Sequence, residues 1–185
     1  MDSPKQYTAF IDERIVACGT VEDLLPKLKS IFDKNRHALF SIFDDETGKQ
    51  TDFNLRGSLD EILAREAPAS DQGGRGRPRL GVIAREVTLL PRHWDWLELQ
   101  PNGASAALRR LVDDARKRET AEMRNKRAMH ATGRFLSAMA GNYPNYEGAL
   151  RALYRGESKQ FADLIARWPR DVRIYALRLA TGKKA

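Results

Sequence analysis

The sequence is poor in the residues that build covalent or metal-based sites. A single cysteine, Cys18, stands in 185 residues. It excludes an internal disulfide framework and points to a reducing compartment, the cytoplasm. The three histidines, His37, His93 and His130, are scattered without metal-ligand spacing. The chain has no phosphate-binding glycine loop, no nucleophile elbow and no dinucleotide fingerprint. No apolar run approaches the roughly 20 residues that span a bilayer. The start, MDSPKQYTAF, lacks the basic and apolar regions of a secretory signal. These absences predict a cytoplasmic protein that is not an enzyme, with no membrane, cofactor, metal or catalytic set. No small-molecule ligand is implied.

Hydrophobic residues make up 42% of the chain and charged residues 31%, the balance of a soluble globular protein. The net charge is +7, and its distribution is uneven. Residues 1–70 hold 9 Lys/Arg against 13 Asp/Glu, whereas residues 71–185 hold 23 against 12. A basic second part suggests an anionic partner such as nucleic acid. The competing reading is an ordinary solvated helix surface.

The chain reads as an α+β protein in four segments. Residues 1–66 form an acidic hairpin and helix module. Apolar runs flank Asp12-Glu13, predicting two strands and a tight turn. Thr20 and Asp23 match a capping box, and Val21, Leu24, Leu25, Leu28, Ile31 and Phe32 recur at helical spacing. Pro26 predicts a late start or a kink in that helix. "ALFSIF", a turn cluster and "QTDFNL" predict a second hairpin, whose second strand alternates Thr51, Phe53 and Leu55 with Asp52 and Asn54. Asp44-Asp45-Glu46 sits in that turn and reads as turn chemistry. "SLDE" at residues 58–61 opens a second helix. A four-stranded antiparallel sheet covered by two helices uses all of these elements.

Residues 67–79 are a Gly/Pro-rich basic linker. Residues 80–118 read as strand, helix and helix. The β-branched run to Leu90 predicts the strand, and Pro91 stops it and suits the first helical turn. The first helix turns Trp94 and Leu97 inward, with Trp96 a third candidate. "QPNG" breaks it, and Ala107, Leu108, Leu111, Val112 and Ala115 stripe the second helix. Residues 119–185 read as four helices with short links. The three tryptophans, Trp168 included, read as core.

Three motifs bear on function. Arg75-Gly76-Arg77-Pro78, followed by Arg79, resembles an AT-hook, which lies extended in the minor groove of A·T-rich DNA. Glycine lets the backbone approach the groove floor, and proline fixes the direction. The arginines meet the negative potential of a narrow groove. A solvated basic hinge is the plain alternative.

The strand, helix and helix of 80–118 resemble a ribbon-helix-helix protein, with Pro91 at the strand–helix junction and Gly103-Ala104-Ser105 opening the second helix. That resemblance implies a homodimer whose paired strands enter the major groove. The alternation argues against base reading. Counting back from Pro91, the groove-facing set is Leu89, Val87 and Arg85, and the core-facing set is Leu90, Thr88 and Glu86. Apolar and polar faces are inverted, so either the strand is offset by one residue or it belongs to an intramolecular sheet.

The third motif is the basic stretch 109–134, with nine Lys/Arg against four acids. On one continuous helix, Arg109, Arg116, Arg127 and Arg134 lie close in projection and could meet phosphates, with Lys117 beside Arg116. The alternative is a solvated face with pairs such as Asp113–Lys117 and Glu122–Lys126.

Six phrases, among them "FDDETGKQTDFNLRGS", "GRGRPRLGVIAREVTLLPRHWDWL" and "FLSAMAGNYPNYEGALRALYRG", resemble one bacterial family, the domain of unknown function two-two-three-nine. The resemblance runs over nearly the whole chain and departs mainly at Pro26. It implies one unit and brings no activity or site residue. The sequence therefore favours a cytoplasmic DNA-binding or nucleoid-associated regulator. Arg75, Arg77 and Arg79 would take the minor groove of double-stranded DNA, and Arg109, Arg116, Lys117 and Arg127 would take phosphates. The alternative is a protein–protein interaction module, with an enzyme third.

Overall fold

The computed structural model describes residues 4–66 and 85–182. The chain divides into two compact units. One combines Met1–Ser70 with Glu122–Ala185, and the other is Asp71–Ala121. The last helices therefore belong with the first hairpins, although the sequence reads as four consecutive segments.

The first unit is built on an antiparallel sheet of four strands, β1 (Tyr7–Ile11), β2 (Arg14–Gly19), β3 (Phe40–Asp44) and β4 (Gln50–Thr51), in the order β2-β1-β3-β4. Asp12 and Glu13 make the first turn, with Asp12 at φ +52, a conformation Asp tolerates. The β1–β2 register shifts between Ala9 and Phe10, a bulge that leaves Val16 as the extra residue of β2. The second hairpin is shorter than its sequence suggests. Its returning strand ends at Thr51, and Phe53 and Leu55 lie in the connection that follows.

Both faces of the sheet are covered. Ala9, Ala17 and Ile42 face α1 (Val21–Lys34) and α2 (Leu59–Glu66), where Leu24, Leu25, Leu28 and Ile62 are fully buried. Each such leucine contributes about 1.5–3 kcal/mol by leaving water. Both helices open with capping boxes. Thr20 and Asp23 bond reciprocally, as do Ser58 and Glu61 at 2.9 and 3.3 Å. Pro26 corrects the expected late start: α1 begins at Val21 and runs through it. The carbonyl left without its helical donor is that of Glu22, an exposed first-turn residue within reach of water.

Phe10 and Phe43 point to the opposite face. There they meet Phe135 of α5 (Ala121–Met139) and Tyr175 of α8 (Arg170–Ala180). The four rings form a close set, with Phe135–Tyr175 at 4.6 Å, Phe43–Phe135 at 5.0 Å and Phe10–Tyr175 at 5.4 Å, all edge-to-face. Each contact of this kind adds about 0.5–1.5 kcal/mol beyond burial. α6 (Tyr146–Tyr154) and α7 (Ser158–Leu164) complete this layer with Ala149, Ala152 and Phe161. Trp168 is buried, and its indole N–H donates to the Pro144 carbonyl at 2.8 Å. The architecture is α+β, mostly helical in its C-terminal part.

The second unit contains α3 (Pro91–Glu98) and α4 (Gly103–Lys117). Pro91 is the first helical residue, as its fixed φ suits. Asn102 and Gly103, at φ +68 and +78, turn the chain between the two helices. The expected strand does not appear in residues 85–90, which join no sheet among the described residues; the first part of that run, residues 80–84, lies outside them. Of the α3 candidates only Leu97 is buried, and Trp94 and Trp96 are 38% and 47% exposed. The inward placement of those two tryptophans is thus corrected.

Candidate functional site

Arg75, Arg77 and Arg79 lie outside the described residues. The remaining expected contacts fall on two helices. The basic stretch is not one helix: α4 ends at Lys117 and α5 begins at Ala121, with Arg118–Thr120 between them. The projection that aligned Arg109 and Arg116 with Arg127 and Arg134 therefore holds only within each helix.

On α4, Arg116, Arg109, Lys117 and Arg110 are exposed and occupy an arc of about 120° at 3.6 residues per turn. Asp113 lies inside that arc. Arg110 donates to the Gln100 side chain at 3.4 Å. The opposite arc carries Ala104, Ala107, Leu108, Leu111 and Val112. Of these only Ala107 is buried, and Val112 is 56% exposed. The helix thus presents a cationic face and an apolar face that its own unit leaves largely uncovered.

Arg127 is placed differently. With Arg134, two turns on, it flanks the tip of the β3–β4 hairpin. Arg127 lies 3.8 Å from Glu46, and Arg134 donates to the Thr47 carbonyl at 3.3 Å. The hairpin can lie this close because its tip residue is glycine. A Cβ on Gly48 would stand 1.9 Å from the Ala131 carbonyl oxygen, and its φ of +64 is one that L-residues rarely adopt. The alternative pair Glu122–Lys126 forms at 2.8 Å between exposed groups.

Beside the hairpin runs a groove of about 540 Å³, between Lys49 and Gln50 on one side and α5 and α6 on the other. Gly133 of α5 forms its floor. A Cβ there would stand 2.2 Å from the Tyr154 hydroxyl, so the missing side chain is the space Tyr154 fills. No acidic residue lines the groove. Nothing in the sequence signals this convergence, because Lys49 and Arg134 come from elements far apart in the chain.

The turn carboxylates divide their work. Asp44 accepts the N–H groups of Glu46 and Thr47 at 2.9 Å each, as turn chemistry predicts. Asp45 does something else. Its Oδ1 accepts the hydroxyls of Thr8 and Tyr175 at 2.8 Å, and its Oδ2 accepts from Arg178 at 2.7 Å. Burial, reinforced by the Asp45 charge, pushes the Tyr175 phenol well above its ordinary range. The network is closed on itself and fastens α8 to the sheet. Among the described residues no cluster of three or more His, Cys, Asp or Glu could hold a metal ion. Cys18 is exposed on β2. No helix among the described residues is long and apolar enough to cross a membrane.

These features define an α+β protein with a sheet covered on both faces and an inserted two-helix unit. Residues 6–180 match the family model described as an uncharacterized protein conserved in bacteria, DUF2239, and the chain belongs to that family. No curated protein and no solved structure matches it significantly.

Proposed function

We propose that the chain is a cytoplasmic DNA-binding protein whose inserted unit makes the contact, and that it is not an enzyme. The observation that carries this reading is the exposed cationic arc of α4, Arg109, Arg110, Arg116 and Lys117, in the half of the chain with the large basic excess. Phosphates take such an arc by releasing counterions, which requires no base-specific geometry. Arg75, Arg77 and Arg79 would lie in an A·T-rich minor groove and supply the sequence preference. Arg127, held beside Glu46, would be the weakest of the expected phosphate contacts.

Fluorescence anisotropy on A·T-rich and G·C-rich duplexes across a salt series tests it. Four phosphate contacts from α4 give a log–log salt slope of about −3.6. Arg109→Gln with Arg116→Gln should reduce that slope by about 1.8. Arg77→Ala should erode the A·T preference. No binding at about 50 mM salt and micromolar protein would overturn the proposal, since non-specific binders register there.

A second reading is favoured by the same unit's apolar surface. Val87, Leu90, Trp94, Trp96, Leu111 and Val112 are all exposed, while among the described residues of the unit only Leu97 and Ala107 are buried hydrophobics. A unit this thinly cored gains from a protein partner, and a homodimer is the simplest one. Light scattering after size exclusion decides: a strict monomer at high micromolar concentration sinks it.

A further inference from the structure

The groove beside the β3–β4 hairpin has an apolar wall, Ala138 and Leu150, and its charged groups are all cationic. Lys49 approaches from the hairpin and Arg134 from α5, and no carboxylate lines the space between. The donors left free can be counted. Ser137 donates to the Gly133 carbonyl at 2.9 Å and lies 3.1 Å from the Tyr146 hydroxyl, so it is a wall rather than a ligand. Arg134 uses one N–H on the Thr47 carbonyl, which aims the guanidinium and leaves its other donors available. The Lys49 ammonium, the Gln50 amide and the Tyr154 hydroxyl are bound to no described residue. Two cations and two neutral donors around a few hundred cubic ångströms suit a tetrahedral oxyanion, which accepts from several directions at once.

The backbone lets the walls of this groove pack closely. Glycine inside a helix costs about 1 kcal/mol relative to alanine, and Gly133 occupies the middle of α5. Its absent side chain admits the Tyr154 ring, which His130 also meets at 6.0 Å. Gly48 does the same for the hairpin, bringing Lys49 up to α5. Two glycines on two elements thus converge on one groove. We propose that this groove binds a phosphate group, held by Lys49 and Arg134 with Tyr154 and Gln50 as neutral donors. The phosphate comes either from a small phosphate ester or from a nucleic-acid backbone.

The test is a titration of the isotope-labelled full chain with inorganic phosphate at constant ionic strength, followed by amide chemical shifts. The amides of Gly48, Lys49, Gly133 and Arg134 should shift and saturate. Arg134→Gln should weaken the response about tenfold, the loss of one charge-assisted contact. Adding Lys49→Gln should abolish it, while the rest of the spectrum stays in place. Both side chains are exposed, so both variants should fold. Non-saturating or scattered shifts, or the same saturation in the double variant, would overturn the proposal. A parallel titration with a nucleoside monophosphate and a short duplex separates the sources. Duplex shifts at the groove assign the phosphate to a backbone, and groove shifts with the monophosphate alone assign it to a small ester. This outcome is independent of DNA binding by α4, whose amides report separately.

Discussion

Asp45→Asn is the sharpest perturbation the structure offers. The carboxylate carries three hydrogen bonds: two from the neutral hydroxyls of Thr8 and Tyr175 to Oδ1, and one from the Arg178 guanidinium to Oδ2 at 2.7 Å. An asparagine keeps an oxygen for the two hydroxyls and sets an NH₂ against Arg178, donor facing donor. The loss is one charge-assisted hydrogen bond, about 1.5–3 kcal/mol. The side chains are only 14% and 25% exposed, so water offsets part of that loss and no more. The expected destabilisation is about 2 kcal/mol, which at this chain length lowers Tm by about 4–8 °C. Urea denaturation followed by circular dichroism should show a lower midpoint at unchanged slope. Adding Arg178→Met removes the stranded donor, so the double variant should lose less than the sum of the two single losses. An unchanged midpoint for Asp45→Asn would refute the reasoning and leave α8 held by its buried apolar face and by the Ile15 N–H donating to Asp171 at 3.0 Å.

Two further perturbations probe the same unit. Gly48→Ala combines a left-handed φ with a Cβ 1.9 Å from the Ala131 carbonyl and should cost about 3 kcal/mol in the same urea experiment; a loss under 1 kcal/mol would show that the hairpin yields. Burial, with the hydrogen bond and charge of Glu13, pushes Tyr143 up to about 12. The folded state then keeps a proton that the unfolded chain releases near pH 10, so this stability is complete below about pH 10 and is lost as pH rises toward 12. Tyr143→Phe should flatten that decline in midpoint-versus-pH curves, and identical slopes would remove Tyr143 from the account.

What could be read in advance was local. The capping boxes at Thr20 and Ser58, the Asp12 turn and Pro91 at the start of α3 are decided within four residues of themselves, and each stands where the sequence placed it. The late start expected from Pro26 fails because the carbonyl that loses its donor, that of Glu22, is exposed and within reach of water. The second cover of the sheet was written in Phe10 and Phe43, apolar on a face the first two helices do not use. Its occupant was not, because Phe135 and Tyr175 come from a distant part of the chain. The run before Pro91 has strand composition, but a strand exists only with a partner, and composition cannot name one. The cationic residues of α4 were found by counting charge. The groove was missed because Lys49 and Arg134 meet only through the glycines that let their elements touch.

The two-part origin of the first unit gives the protein a clock. Asp45 waits for Tyr175 across 130 residues. At about 5–20 residues per second of synthesis, that interval is roughly ten seconds. For that time Phe10 and Phe43 form the bare aromatic face of a sheet whose cover does not yet exist, while the inserted unit emerges between the two halves. For those seconds the newborn chain carries apolar surface of the kind that aggregates, so the time that face stays uncovered bears on yield as well as the stability of the finished fold.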